Sequence, residues 1–150
     1  MIFFMRTLAI DFGKKRIGLA ISDAGGKLAS PVEVVAVTST ENAIQRILEI
    51  VEREGVRRIV VGLPLNMDGT AGPSSKAAKE FGDVIAARSG RGVIFVDERL
   101  SSFEAEQQIA GRRREGEKIT RKSKKRKLDA IAAAGFLQEF LDGKIRGIEG

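Results

Sequence analysis

The hydrophobic period of the chain changes near residue 38, and this change constrains the possible folds more than any other feature of the sequence. Before it, apolar and β-branched runs separated by turn residues predict three consecutive strands. After it, apolar residues at helical spacing alternate with short continuous apolar runs, which are typical of strands covered on both faces. The predicted strands are 7–12, 17–22, 31–37, 57–64 and 92–99, and the predicted helices cover 43–51, 74–89, 102–110 and 126–141.

This order, β-β-β-α-β-α-β-α-α, predicts an α/β fold. A strand meander followed by two α-β units gives a mixed sheet with helices on both faces. The 150 residues suffice for one domain, and we find no repeat or boundary that would divide 1–150. Within that domain we expect a mobile basic segment at about 111–125 and a loose tail at 142–150.

The chain contains neither cysteine nor histidine, and this restricts its chemistry. Disulfides, thiolate zinc sites and cysteine nucleophiles are excluded. A general base or metal ligand must come from Asp, Glu, Lys or water. The first ten residues are apolar, but they are too short to span a bilayer and lack a basic region and a cleavage site. We therefore expect a cytoplasmic protein without a membrane segment.

Positive charge is concentrated in one segment. The chain has a formal net charge of +6, and residues 111–127 hold ten Lys or Arg against two Glu. So dense a run of one sign favours docking to a polyanion such as nucleic acid, although a solvated charge run is the alternative. Because the chain has no Tyr or Trp, we expect recognition of shape and backbone rather than of base sequence.

Three carboxylates fall on separate predicted elements. Asp11 ends the first strand, and Glu98 ends the last strand on the face opposite Asp97. Helical geometry places Asp129 on the same side as Phe136, the side that packs inward. Three buried carboxylates need a partner, and a hard cation such as Mg²⁺ or Mn²⁺ suits them. Taken singly, each carboxylate has another interpretation. Asp11 could accept hydrogen bonds in its turn, Glu98 could pair with a neighbouring Arg or Lys, and Asp129 could be a favourable charge in the first turn of a helix.

Four segments together resemble the YqgF family, in the order in which that family has them. They are "AIDFGKKRIGLAISD", "VVGLPLNMDGT", "VDERLSSFEAE" and "KKRKLDAIAAAGFLQEFL". The resemblance implies a ribonuclease H-like fold with a five-stranded mixed sheet, related to the RuvC resolvases. It also implies a Mg²⁺-dependent nuclease whose catalytic metal ligands are Asp11, Glu98 and Asp129. RuvC-type resolvases commonly carry a fourth acidic residue near the last aspartate, whereas residues 130–138 hold none.

Polar residues around these carboxylates are candidates for contacts with nucleic acid. A basic turn follows Asp11, and a Ser/Thr/Asn-rich loop follows the fourth strand. An exposed hairpin and an ordinary capped turn are the alternatives. The predicted contacts are Lys14, Lys15, Arg16, Asn66, Thr70, Ser74, Arg99, Arg112, Arg113, Arg114, Arg121, Lys122, Lys124, Lys125 and Arg126.

Three functions remain open at this point. The leading hypothesis is an endonuclease acting on structured RNA, at the 5′ end of the 16S ribosomal RNA precursor, with a precursor of the ribosomal subunit as partner. The same chemistry on four-way DNA junctions is the close alternative, and it would require a homodimer where RNA processing allows a monomer. A ribosome assembly factor that binds RNA without cleaving it is the alternative of another class.

Overall fold

The structure, a computed structural model, describes residues 5–98 and 121–148, and for residues 121–128 it describes the backbone alone. The described chain forms five strands and three helices. The strands are β1 (Arg6–Asp11), β2 (Arg16–Ser22), β3 (Ala29–Ala36), β4 (Val56–Leu63) and β5 (Gly92–Asp97). The helices are α1 (Thr40–Arg53), α2 (Pro73–Ser89) and α3 (Arg121–Leu141).

The five strands form one mixed sheet in the order β3-β2-β1-β4-β5. β1 pairs antiparallel with β2 and parallel with β4, and β5 adds parallel to β4. The predicted mixed sheet is therefore confirmed. Because β1, β4 and β5 run in the same direction, their carboxyl ends meet at one edge of the sheet. The chain segments that follow these three strands therefore start from a common region.

Helices cover both faces of this sheet, as the apolar strand runs predicted. On β1, Leu8 and Ile10 join the larger core cluster, which includes Ile47 of α1 and Ile85 of α2. The residue between them, Ala9, belongs to a second cluster, which α3 supplies with Ala133, Phe136 and Leu137. Strand alternation assigns Asp11 to the same face as Ala9. The first aspartate therefore faces α3.

Helix ends follow from local chemistry. The side chain of Ser39 accepts a hydrogen bond from the backbone N–H of Asn42 and caps α1. Gly55, at φ 64°, follows α1 in the left-handed conformation that glycine adopts without steric cost. α2 begins with Pro73 and ends at Ser89, and the next residue, Gly90, has φ 69°.

Two predicted segments lie partly in the described chain. Residues 121–125, from the predicted mobile segment, have helical backbone at the start of α3. In the predicted tail, Ile145 is 5% exposed, and the Ile148 N–H donates to the Phe95 carbonyl oxygen at 2.6 Å. Ile145 is apolar, and its burial favours the packing of this segment on the sheet. The predicted helix 102–110 and residues 111–120 lie outside the described part of the chain.

Across the residues that the structure describes, no helix combines the length and the apolar character needed to cross a membrane.

Candidate active site

Asp11 lies at the carboxyl end of β1, in the middle of the sheet. Its partners in register are Gly18 on β2 and Gly62 on β4. A glycine on either side leaves the sheet surface beside Asp11 without side chains. Other groups can therefore approach the carboxylate closely from the face that α3 covers.

Glu98 directly follows the last residue of β5. Val96, two residues before it, belongs to the same core cluster as Phe136 of α3. A Cβ built on Gly62 would lie 3.5 Å from the Cβ of Glu98. The Glu98 side chain hydrogen-bonds to the Asp11 carboxyl, so the ends of β1 and β5 are joined by two acidic groups.

Asp129 is brought to the same place by α3. The helix packs so closely against β2 that a Cβ on Gly18 would overlap the backbone carbonyl of Asp129. The Asp129 Oδ2 accepts a hydrogen bond from Nε of Arg16, at 2.9 Å. Asp129 is also near enough to Asp11 to repel its charge. The structure therefore brings together the three carboxylates that the sequence analysis selected.

Burial is the largest of the causes that raise the pKa of Asp11, from 3.8 to about 10. The hydrogen bond with Glu98, the charge of Glu98 and the charge of Asp129 raise it further, in that order. Two carboxyl groups hydrogen-bond to each other when one of them carries a proton. The carboxyl group of Asp11 therefore keeps its proton to a higher pH than an ordinary aspartate does.

The donors suit a hard divalent cation. Within residues 5–98 and 121–148, no three acidic side chains are arranged as they stand to hold a metal ion. As they stand, Asp11 hydrogen-bonds to Glu98, and Asp129 accepts a hydrogen bond from Arg16. All three groups are carboxylates, and the chain has no His or Cys to attract a softer metal. A divalent cation would take the place of the proton on Asp11 and offset the same repulsion.

Sequence reasoning missed the two glycines that make this cluster possible. At Gly62 a Cβ would lie 2.9 Å from Cε1 of Phe136, and at Gly18 it would overlap α3. Both glycines interrupt strands that are otherwise strongly apolar, in "RIGLAIS" and "RRIVVGL". A glycine inside a strand signals a close backbone approach, and this was the available clue.

The predicted contacts for nucleic acid fall into different environments. Lys14 and Lys15 are exposed in the turn between β1 and β2, beside Asp11. Asn66 and Thr70 form a hydrogen-bonded turn between β4 and α2, in which Asn66 Nδ2 donates to Thr70 Oγ1 at 3.0 Å. The turn interpretation therefore describes that loop as it stands. Ser74 is exposed in the first turn of α2.

The remaining predicted contacts belong to the basic segment. Arg99, Arg112, Arg113 and Arg114 lie outside the described residues. The backbone of Arg121, Lys122, Lys124, Lys125 and Arg126 is part of α3. Since a helix rises about 1.5 Å per residue, Arg121 is about 12 Å along the axis from Asp129. These residues and Asp129 therefore belong to one continuous helix.

Together, the mixed five-stranded sheet and the helices on both faces define a ribonuclease H-like fold, and three carboxylates lie near the carboxyl edge of that sheet. The chain belongs to the RuvX family, whose model is described as "Holliday junction resolvase" and matches residues 5–143. This family of nucleases is the one that the four sequence motifs indicated under the name YqgF.

Relatives and solved structures agree with this assignment. A protein of Anaeromyxobacter sp. strain K, named "Putative pre-16S rRNA nuclease", is 42% identical over 92% of this chain and 97% of its own. A protein of Chloroflexus aurantiacus with the same name is 39% identical, over 91% of this chain and 86% of its own. The fold is similar to that of Thermus thermophilus RuvC in complex with a Holliday junction substrate. The TM-score is 0.62 at 20% identity, over 96% of this chain and 99% of RuvC.

Proposed function

We propose that the chain is a Mg²⁺- or Mn²⁺-dependent endonuclease that hydrolyses phosphodiester bonds in structured RNA, at the 5′ end of the 16S ribosomal RNA precursor. The observation that carries the proposal is the carboxylate cluster. Asp11 is half-buried, hydrogen-bonded to Glu98 and close to Asp129 at the carboxyl edge of the sheet. Such a group is costly to maintain unless it binds a cation.

In this proposal Asp11, Glu98 and Asp129 are the catalytic metal ligands. When bound there, a divalent cation would polarise the phosphodiester and lower the pKa of the attacking water. The fold would contribute to this chemistry by arranging the three carboxylates. β1 and β5 place Asp11 and Glu98 at one edge, and the glycines beside Asp11 let α3 bring Asp129 to them.

Basic residues near the site would hold the nucleic acid. Lys14 and Lys15 lie in the turn that follows Asp11, and α3 carries further basic residues along the helix before Asp129. Contacts of this kind bind phosphate without reading the base sequence. They suit a structured substrate that is recognised by its shape.

The names of the relatives favour RNA as the substrate, because those at about 40% identity are named pre-16S rRNA nucleases. The family description favours the second candidate, a resolvase of four-way DNA junctions. The chemistry is the same for both substrates, and the difference lies in which phosphodiester reaches the carboxylates. A resolvase would act as a homodimer, since two strands are cut in symmetry.

Cleavage assays test the proposal directly. A labelled 5′ fragment of the 16S precursor and a labelled four-way DNA junction are each incubated with Mg²⁺, Mn²⁺ or EDTA. Wild type is compared with Asp11→Asn and Asp129→Asn, and with Asp83→Asn as a control for an exposed carboxylate on α2.

We expect cleavage of the RNA that requires the metal, is lost in both site variants and survives in Asp83→Asn. Cleavage of the junction alone would select the resolvase. Cleavage that persists in Asp11→Asn and Asp129→Asn would place the activity elsewhere or in a contaminant. Tight binding of RNA with no cleavage under any condition would favour the assembly factor.

A further inference from the structure

Arg16 makes a contact that the carboxylates alone do not explain. This residue begins β2, and its Nε donates to Oδ2 of Asp129 across a sequence separation of 113 residues, at 2.9 Å. The two side chains are 31% and 28% exposed, so the pair is neither free in solvent nor sealed in the core. The contact connects the basic turn to the last helix at the candidate site.

The guanidinium of Arg16 is only partly used by this contact. Nε is one of the three nitrogens that carry its five N–H donors. Neither Nη1 nor Nη2 hydrogen-bonds to any residue in the described part of the chain, and Asp129 Oδ1 likewise accepts from none of them. Arg16 therefore offers its fork of donors, and Asp129 one oxygen, while the Nε–Oδ2 bond is kept.

The backbone around Arg16 holds this geometry in place. A Cβ on Gly13 would come 2.5 Å from the Arg16 carbonyl oxygen, so the turn folds tightly against it. Two residues further on, Gly18 lets α3 approach so closely that a Cβ there would overlap the Asp129 backbone. The arginine and the aspartate are thus fixed by their main chains as well as by their side chains.

We infer that Arg16 is a positioning residue that couples binding of the substrate to the orientation of Asp129. Through Nε it holds Asp129 with Oδ1 available to a divalent cation, and through Nη1 and Nη2 it binds a phosphate of the strand to be cut. The inference rests on the proposed function and adds to it, because it assigns one side chain to both the phosphate and a metal ligand.

Lysine cannot perform both tasks. Its ammonium is a point charge at the end of a flexible stem, whereas the planar guanidinium can bind Asp129 on one edge and a phosphate on another. Arg16→Lys therefore conserves the charge and removes the bridge. A residue that acted by charge alone would tolerate this change.

The test compares Arg16→Lys with Arg57→Lys, which makes the same substitution at an exposed arginine near the start of β4. Three quantities are measured: the Mg²⁺ midpoint for thermal stabilisation without nucleic acid, the affinity for the labelled substrate in EDTA, and the single-turnover cleavage rate at saturating enzyme. Each Mg²⁺ titration is referred to the melting temperature of the same variant without metal.

For Arg16→Lys we expect the Mg²⁺ midpoint to rise at least threefold and the cleavage rate to fall at least tenfold. Substrate affinity in EDTA should change less than threefold, because the charge is kept. In Arg16→Lys/Asp129→Asn the midpoint should equal that of Asp129→Asn alone, because the bridge has nothing left to hold. Arg57→Lys should match wild type in all three measurements.

The inference would be overturned if Arg16→Lys had the same Mg²⁺ midpoint and the same cleavage rate as Arg57→Lys. This holds whether or not Arg16→Lys also lost affinity for the substrate. Asp129→Asn separates this outcome from failure of the proposed function. If Asp129→Asn binds Mg²⁺ and cleaves as wild type does, the carboxylate site itself is wrong. If it loses both while Arg16→Lys loses neither, the coupling role of Arg16 alone is wrong.

Discussion

At the scale of single residues, Asp11 works against the stability of the metal-free fold. Asp11 is half-buried beside Glu98 and Asp129, and desolvation, the hydrogen bond with Glu98 and the two neighbouring charges raise its pKa. In the unfolded chain the group ionises near 3.8. At neutral pH the folded state must therefore keep a proton that the unfolded state has released. The free energy of unfolding falls as pH rises between these values, by at most about 1.4 kcal/mol per pH unit.

We predict that Asp11→Asn raises the melting temperature of the metal-free protein, and raises it more at pH 8 than at pH 5. An amide keeps the shape of the carboxyl group and needs no proton to hydrogen-bond to Glu98. The measurement is thermal unfolding in EDTA across this pH range. Mg²⁺ should stabilise wild type more at pH 8 than at pH 5, and it should stabilise Asp11→Asn less than wild type.

Asp83→Asn is the control for that prediction, because Asp83 is exposed on α2 and lies outside the cluster. It should leave the dependence on pH close to that of wild type. If Asp11→Asn lowers the melting temperature at pH 8, the carboxyl group of Asp11 contributes a favourable interaction and our account of its burial is wrong.

Gly18 gives a second prediction at this scale. Gly18→Ala should destabilise the fold by about 1–3 kcal/mol, because the new methyl group would meet the backbone of α3 at Asp129. Gly92→Ala on β5 is the matched control, since nothing lies within 4 Å of a Cβ at that position. Urea unfolding of both variants measures the difference. Equal midpoints for the two variants would show that α3 does not approach β2 this closely.

At the scale of elements, α3 both completes the site and closes one side of the sheet. Phe136 and Leu137 fill the second core cluster, and Gln138 fastens the helix to the connection between β2 and β3. Its Oε1 accepts from the Ala29 N–H at 2.9 Å, and its Nε2 donates to the Lys27 carbonyl oxygen at 2.8 Å. Asp129 is therefore held by the docking of a whole helix.

We predict that Gln138→Leu destabilises the protein by about 1–3 kcal/mol, because it leaves the half-buried Ala29 N–H without its partner. Chemical unfolding measures the loss. Gln45→Leu is the control, since it makes the same substitution at an exposed position of α1. If Gln138→Leu costs no more than Gln45→Leu, the hydrogen bonds to Ala29 and Lys27 do not anchor α3.

Local pattern predicted most of the elements and few of the contacts between them. The five strands and helices α1, α2 and α3 follow from apolar periodicity, which is a property of neighbouring residues. Local pattern alone does not select the cap of α1, because "TST" offers several hydroxyl groups, and the bond from the Asn42 N–H identifies Ser39. The docking of Ile145 depends on β5, far away in sequence, and local pattern could not anticipate it.

The site shows the same limit. The sequence analysis selected Asp11 and Glu98 because each ends an apolar strand, and it selected Asp129 because helical geometry turns that residue inward. The bond between Arg16 and Asp129 joins residues 113 positions apart, and no local pattern contains it. The close approaches at Gly18 and Gly62 likewise appear only when α3 lies on the sheet.

At the scale of the whole molecule, charge should control binding of nucleic acid. If about five of the predicted basic contacts reach phosphates, the logarithm of the binding constant should fall with the logarithm of the salt concentration with a slope near −4. Fluorescence anisotropy in EDTA, over a range of KCl concentrations, measures the slope. Replacing Lys124 and Lys125 with Ala should make it shallower by about 1.5.

A double Ala substitution of Arg53 and Arg57, which lie in α1 and β4 outside the predicted contacts, is the control for net charge. It should leave the slope unchanged. A slope near zero in wild type, or the same reduction in both double variants, would show that the basic segment is not the surface that binds nucleic acid.

The order in which the chain is made has a consequence for when the protein becomes able to act. Among the elements that the structure describes, the helix that packs on β2 and β3 follows in sequence all the strands that receive it. A nascent chain that has not yet released α3 from the ribosome lacks Asp129, its bond to Arg16 and most of the second core cluster. Since contacts between distant parts of a sequence form slowly, the three carboxylates would come together only after α3 has left the ribosome and docked on the sheet.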